Sequence, residues 1–335
     1  MEEYIKAYEY ESNVNPTLNP VPVITKNVND CSIGINFIDN GEVYNVDYKA
    51  TSPNLLASFI VLDENKGNDN EGHIIRFNRE DVAVEKETNA SSHLFYVFNG
   101  KCSFTIREYV YVRGEEYGEL YTEIKDTEFI VECGEIFICP AFQDLKICNM
   151  LENEKTEIYY VNDSPLLNYL GAEAEKPKFK PCVYDKKFIQ ENLQNLSNPK
   201  NNRKGILLSN LDTEKIGVNT ITPTLWALYN QLPANTKQRP HRHNSVALDL
   251  CIACTDSANE NVYTLMGNEL DEEGNIVNPT KMYWKDGVMF TTPPGLWHSH
   301  HNDGDTDAYV LPIQDAGLLL YQRILGIQLK KKSLG

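Results

Sequence analysis

Short apolar runs rich in β-branched and aromatic residues recur along the chain. Examples are Ser58-Phe59-Ile60-Val61-Leu62, Leu94-Phe95-Tyr96-Val97-Phe98, Glu128-Phe129-Ile130-Val131, Glu157-Ile158-Tyr159-Tyr160-Val161 and Ala308-Tyr309-Val310-Leu311. Asn, Asp, Gly and Pro punctuate them, a pattern that predicts strands joined by turns. One segment differs. Between 185 and 196, Phe188, Ile189, Leu193 and Leu196 fall at helical spacing, and Asn198-Pro199 stops the run. Many short strands and one helix predict an all-β sandwich or barrel.

A long-period repeat divides the pattern in two. Gly134-Glu135-Ile136-Phe137-Ile138-Cys139-Pro140 is echoed by Gly287-Val288-Met289-Phe290-Thr291-Thr292-Pro293, and Asn162-Asp163-Ser164-Pro165-Leu166-Leu167 by Gln314-Asp315-Ala316-Gly317-Leu318-Leu319. The offsets, 287 − 134 = 153 and 315 − 163 = 152, agree to one residue and point to a duplicated domain. The predicted division is an N-terminal arm (1–50), a first barrel (51–172), a polar, partly helical linker (173–205) and a second barrel (206–327).

At 335 residues the chain is long enough for two domains of ~150 residues. A formal net charge of −17 and the absence of a Lys/Arg patch beyond Lys330-Lys331-Lys332 argue against nucleic-acid and anionic-membrane partners. No apolar run approaches the ~20 residues needed to span a bilayer, and the acidic start lacks a signal-peptide core. The expected location is the cytoplasm, with the eight cysteines as thiols. Cys251-Ile252-Ala253-Cys254 has CxxC form but no second pair at zinc-ribbon distance, and reads as two strand cysteines.

Histidines carry the chemical signal. Five of the seven lie in the second half: His241, His243, His298, His300 and His301. On a strand, His241 and His243 share one face, ~6.5–7 Å apart along the chain. His298 follows an Asp286-Gly287 turn and a Pro293-Pro294-Gly295 loop that could deliver a third imidazole. Three neutral imidazoles suit Fe(II), Ni, Cu or Zn and leave coordination positions open.

With these residues in view the chain resembles the cupin superfamily. The first motif lies around His241-Arg242-His243, and the second runs from Gly287 to His298 with Pro293. The duplication makes it a bicupin: two tandem jelly-roll barrels with a short, partly helical linker. The second half is similar to gentisate and salicylate 1,2-dioxygenases through Pro223-Thr224-Leu225-Trp226-Ala227, Leu232-Pro233, Pro240-His241-Arg242-His243-Asn244 and the stretch from Pro293 to Asn302. This resemblance implies one Fe(II) per chain on His241, His243 and His298, with His300 as a catalytic acid/base or hydrogen-bonding group. Mn, Ni or Zn would suit the same imidazoles. The usual cupin glutamate is replaced by Ala247, as a three-His site allows. The implied function is a non-haem Fe(II) dioxygenase that uses O₂ to cleave a small, polar, aromatic substrate, in a homo-oligomer (dimer or tetramer). A cupin lyase, isomerase or hydrolase that uses no O₂, and a non-catalytic ligand-binding bicupin, are the alternatives.

Two departures stand out. In the first half Glu87 and Asn89 take the HxH positions, His93 takes the glutamate position, and Asp144 or Leu145 replaces the third His. That is a poor transition-metal set, so the N-terminal cupin reads as degenerate. In the second half alternation sends Ser245, Ala247, Asp249 and Cys251 inward, and Asp249 stands near the place where the resembled family keeps a carboxylate-binding arginine. Its candidate partners are Arg239, Arg242, a metal-bound water or a cationic substrate group. Asp249, Arg239 and Trp297 are the candidate substrate residues, although alternation turns Trp297 outward if His298 points inward. Tyr283 is a further candidate pocket wall, and the acidic stretch 268–274 reads as a solvated hairpin loop.

Overall fold

A computed structural model describes residues 4–14, 17–63, 74–78, 89–113, 120–196, 204–254 and 260–330. In chain order the strands of the first half are β1 (Thr25–Asn27), β2 (Gly34–Ile38), β3 (Leu56–Leu62), β4 (Ile74–Asn78), β5 (Ser92–Asn99), β6 (Lys101–Arg113), β7 (Leu120–Glu132), β8 (Ile136–Pro140), β9 (Asp144–Asn149), β10 (Thr156–Asn162) and β11 (Cys182–Tyr184). Those of the second are β12 (Lys204–Leu208), β13 (Trp226–Leu232), β14 (Thr236–Lys237), β15 (His241–His243), β16 (Ala247–Cys254), β17 (Val262–Gly267), β18 (Thr280–Tyr283), β19 (Val288–Thr292), β20 (Trp297–Asn302), β21 (Ala308–Gln314) and β22 (Ile327–Leu329).

Each barrel is a pair of antiparallel sheets. The first joins β11-β8-β5-β10-β3-β2 to β4-β9-β6-β7, and the second joins β1-β19-β16-β21-β13-β12 to β18-β17-β20-β15-β22, with β14 also on β20. Period-two alternation decides which side chains go where. On β16, Leu248 and Leu250 join Phe59, Tyr96, Tyr159, Leu311 and Ile313 in a core shared by the β11-β8-β5-β10-β3-β2 and β1-β19-β16-β21-β13-β12 sheets. Cys251, Phe290, Val310 and Trp284 fill the second barrel instead. The first barrel is packed with Phe95, Phe104, Phe137, Phe142 and Tyr160. The fold is all-β, as the pattern predicts.

The arm and linker do more than connect. From the arm, β1 pairs with β19 of the second barrel, matching Thr25 to Phe290 and Asn27 to Val288, whereas β2 pairs with β3 of the first. From the linker, β11 pairs with β8 of the first barrel and β12 with β13 of the second. Each barrel's sheet is thus extended by a strand from the segment that leads into the other. These pieces are three to five residues long, too short for a periodic signal, and so went unread in the sequence. The linker helix forms at Lys186–Gln194, capped by Asp185, whose Oδ1 accepts from the Phe188 N–H at 2.7 Å. It buries Ile189 and Leu193.

The repeated aspartates interlock the halves. Asp163 accepts from the backbone N–H groups of Ser91 (2.7 Å) and Ser92 (3.0 Å), from Ser91 Oγ (2.5 Å), and from Thr224 Oγ1 of the other half (2.8 Å). Asp315 accepts from the Val246 N–H (2.9 Å) and from Asn54 Nδ2 across the same seam (2.7 Å). Burial pushes both carboxyls above their ordinary range. The CxxC cysteines are buried thiols on β16. None of the helices among the described residues is long and apolar enough to cross a membrane.

Candidate metal centre

β15 and β20 build the site. The burial pattern of His241-Arg242-His243 is in–out–in, and His241 sits opposite His298 in the antiparallel register. The Pro293-Pro294-Gly295 turn is tied to the first motif where the Gly295 N–H donates to the His243 carbonyl at 2.7 Å. Gly295 has φ +83°, a conformation that a side chain would strain. Ligand atoms of His241, His243 and His298 all lie within 4.8 Å of one another, and the three residues are 3–5% exposed. Among the described residues this is the group of three or more His, Cys, Asp or Glu side chains arranged to hold a metal ion.

Hydrogen bonds set the state of two of these rings. His243 Nδ1 is 2.9 Å from the Ser245 carbonyl, and His298 Nδ1 is 3.0 Å from the Leu296 carbonyl. A carbonyl only accepts, so each neutral ring carries its proton on Nδ1 and keeps the Nε2 lone pair, as a metal ligand requires. Ser245 Oγ, 3.1 Å from the same His243 nitrogen, donates to Gln314 Oε1 at 2.8 Å. The donor set therefore fits a divalent transition metal. Ala247 lies between Thr292 and Gln314 on the neighbouring strands and offers no fourth ligand.

His300 shares the inner face with His298. Its ring centroid is 5.9 Å from that of His298 and 6.2 Å from that of His241. Its Nδ1 meets Thr264 Oγ1 at 2.7 Å, and Trp284 packs edge-on against it at 5.4 Å. Asp249 is buried, and its Oδ2 accepts from Thr292 Oγ1 at 2.6 Å. Arg242 is not inside the barrel. Its Nε donates to Gln328 (2.7 Å) and its guanidinium lies over Trp297 (4.7 Å).

Two of the expected substrate residues lie apart from the imidazoles. Alternation turns Trp297 away from the imidazoles, onto the outer face with Arg242. Arg239 lines an outer groove with Ser299 and His301, the β20 residues that face away from His298 and His300. Tyr283 pairs with Tyr263 in that same outer layer, where His301 stacks on Tyr263 at 5.1 Å. Sequence reasoning missed Thr264, Trp284, Thr292 and Gln314. They reach the site across strands, and no local spacing announces that register.

The first barrel has filled the equivalent space. Phe142 lies 4.6 Å from the His93 ring, and His93 Nδ1 meets the Tyr160 hydroxyl at 2.7 Å. Asn89 is engaged by the backbone of Ala172 and Ala174. Asp144, raised by burial, lies 3.7 Å from Arg76, and Leu145 is core. Glu87 lies outside the described residues.

Solved structures place this architecture. The salicylate 1,2-dioxygenase of Pseudaminobacter salicylatoxidans aligns over 98% of this chain and 94% of its own, with TM-score 0.65 at 12% identity. A tryptophan-to-tyrosine mutant of that enzyme aligns over 95% and 91% (TM-score 0.61, 12% identity), and its adduct with gentisate over 96% and 88% (TM-score 0.63, 11% identity). The chain has the two-barrel fold of the salicylate 1,2-dioxygenases. No family model and no curated protein matches its sequence.

Proposed function

We propose that this bicupin is a mononuclear Fe(II) dioxygenase that binds its metal on His241, His243 and His298 and acts on a small, polar, aromatic substrate. The observation that carries the reading is the converging triad, with two Nδ1 protons held by carbonyls, inside a fold shared with a salicylate 1,2-dioxygenase. Bound iron would supply activation of O₂ beside the substrate. The chain supplies the rest. Gln314 and Ser245 hold the His243 ring, the Leu296 carbonyl holds His298, and the barrel wall excludes water. His300 reaches the substrate as a hydrogen-bonding or proton-transfer group. The cytoplasm, where thiols persist, and a homo-oligomer complete the proposal.

Metal analysis of anaerobically purified protein, followed by oxygen uptake against small aromatic acids and amines, tests this function. One metal per chain and substrate-dependent uptake are expected. Bound metal without uptake points instead to Lewis-acid chemistry on the same ligands. His300→Ala is expected to keep the metal and lower turnover by about 10²–10⁴-fold, the range for a lost proton-transfer group. Metal loss in this variant would make His300 a ligand.

Asp249 sets a preference. Two like charges 4 Å apart repel by ~4 kcal/mol at an effective dielectric of ~20, so an anionic group placed beside an ionised Asp249 binds poorly and an amine binds better. Asp249→Asn is expected to raise kcat/KM for gentisate relative to an amino-substituted analogue. An unchanged ratio would make the Thr292 contact purely structural.

A further inference from the structure

We propose that Trp284 and Thr264 act as positioning residues that hold neutral His300 as the Nε2–H tautomer, opposite to the one imposed on His243 and His298. The inference deepens the dioxygenase reading by assigning His300 a fixed donor role.

The argument is an accounting of protons. Trp284 is fully buried, and its indole Nε1–H, which can only donate, lies 2.8 Å from Thr264 Oγ1. Thr264, also fully buried, therefore accepts from Trp284. The same oxygen lies 2.7 Å from His300 Nδ1. Had His300 its proton on Nδ1, two N–H groups would point at one hydroxyl, and the hydroxyl's own proton would lack an acceptor among the described residues. Leaving a buried donor unsatisfied is disfavoured. With Nδ1 bare, every proton has a place: indole to hydroxyl, hydroxyl to imidazole. The remaining His300 proton then sits on Nε2.

The result is two kinds of imidazole on one barrel wall. His243 and His298 present lone pairs because carbonyls take their Nδ1 protons. His300, two residues beyond His298 on β20, presents a proton because a hydroxyl oriented by a tryptophan fills its Nδ1. This difference distinguishes a ligand from a donor within a strand of otherwise like side chains. It also defines what His300 can accept as a neighbour: a carboxylate, phenolate or carbonyl oxygen, and not an ammonium group, which only donates.

¹⁵N NMR of histidine-labelled protein, metal-free and zinc-loaded, tests the relay without any turnover. For wild-type His300 the expected pattern is an unprotonated Nδ1 and a protonated Nε2 in both forms. Thr264→Ser, which keeps the hydroxyl, should preserve it. Thr264→Val and Trp284→Phe should each release the constraint and give a mixture of tautomers, with the two Thr264 variants serving if Trp284→Phe fails to fold. A protonated Nδ1 in the wild type, or an unchanged pattern in Thr264→Val, overturns the relay. Failure of zinc to bind would overturn the metal-site reading alone, since the metal-free spectra still report the tautomer.

Discussion

His298→Ala is expected to remove high-affinity metal binding from a barrel that remains folded. The ring stands opposite His241 in the register, with centroids 4.0 Å apart, and 4.8 Å from that of His243. The two remaining imidazoles belong to one three-residue strand. Structural zinc sites with four ligands bind with about 10–16 kcal/mol, or roughly 2.5–4 kcal/mol per ligand. Losing one of three should therefore weaken binding by on the order of 10²–10³-fold. Loss of the side chain leaves a small buried space but no unpaired charge, so the far-ultraviolet spectrum and unfolding midpoint should change little. Competition with a chromophoric chelator reads the affinity. Full metal occupancy in His298→Ala would show that the third ligand has been misassigned, and two metals per wild-type chain would contradict the packed first barrel.

Asp163→Ala is expected to be the most damaging single change outside the site. It strips the acceptor from two backbone N–H groups and two hydroxyls, one of them across the seam between barrels. Buried donors left unsatisfied carry penalties of ~1–3 kcal/mol each, and hydroxyls can turn elsewhere, so a loss of about 3–5 kcal/mol is expected. Asp163→Asn should lose far less. Its carbonyl still serves both N–H groups, and its amide faces hydroxyls that can rotate to accept. The two variants also differ in pH response. The folded-state pKa of Asp163 is raised by burial above 3.8. Above pH 3.8 the folded protein therefore holds a proton that the unfolded chain has released, and stability falls as pH climbs through the folded-state pKa. Asp163→Asn should abolish this contribution, seen as a flatter stability difference in urea titrations across that acidic window. A wild type and Asp163→Asn pair with parallel profiles would refute it.

Much of this was legible because duplication and period two leave marks in sequence. The 153-residue echo placed β8 and β19, and the HxH spacing placed two rings on one face before any strand was seen. Asp249 was read as inward and is inward, but its hydroxyl partner Thr292 was not foreseen, because the β16–β19 register is fixed by packing about forty residues away. Arg239 and Trp297 lie close to the histidines in sequence but not in space: alternation along β20 turns Trp297 outward, and Arg239, in the irregular stretch before β15, lines the outer groove with Ser299 and His301. Trp284 read as nothing at all, since a buried indole looks like core until the oxygen it serves is known.

The exchange of β1 and β11 bears on what duplication can discard. A second copy that has lost its ligands is ordinarily redundant, free to decay and then to be deleted. Here excision of 51–172 with its flanks would bare the outer edge of β19, and an unprotected edge strand invites pairing with other chains. The first barrel therefore braces the second: its interior is packed with phenylalanine while its borders are bound, strand to strand, to the half that carries the histidine triad.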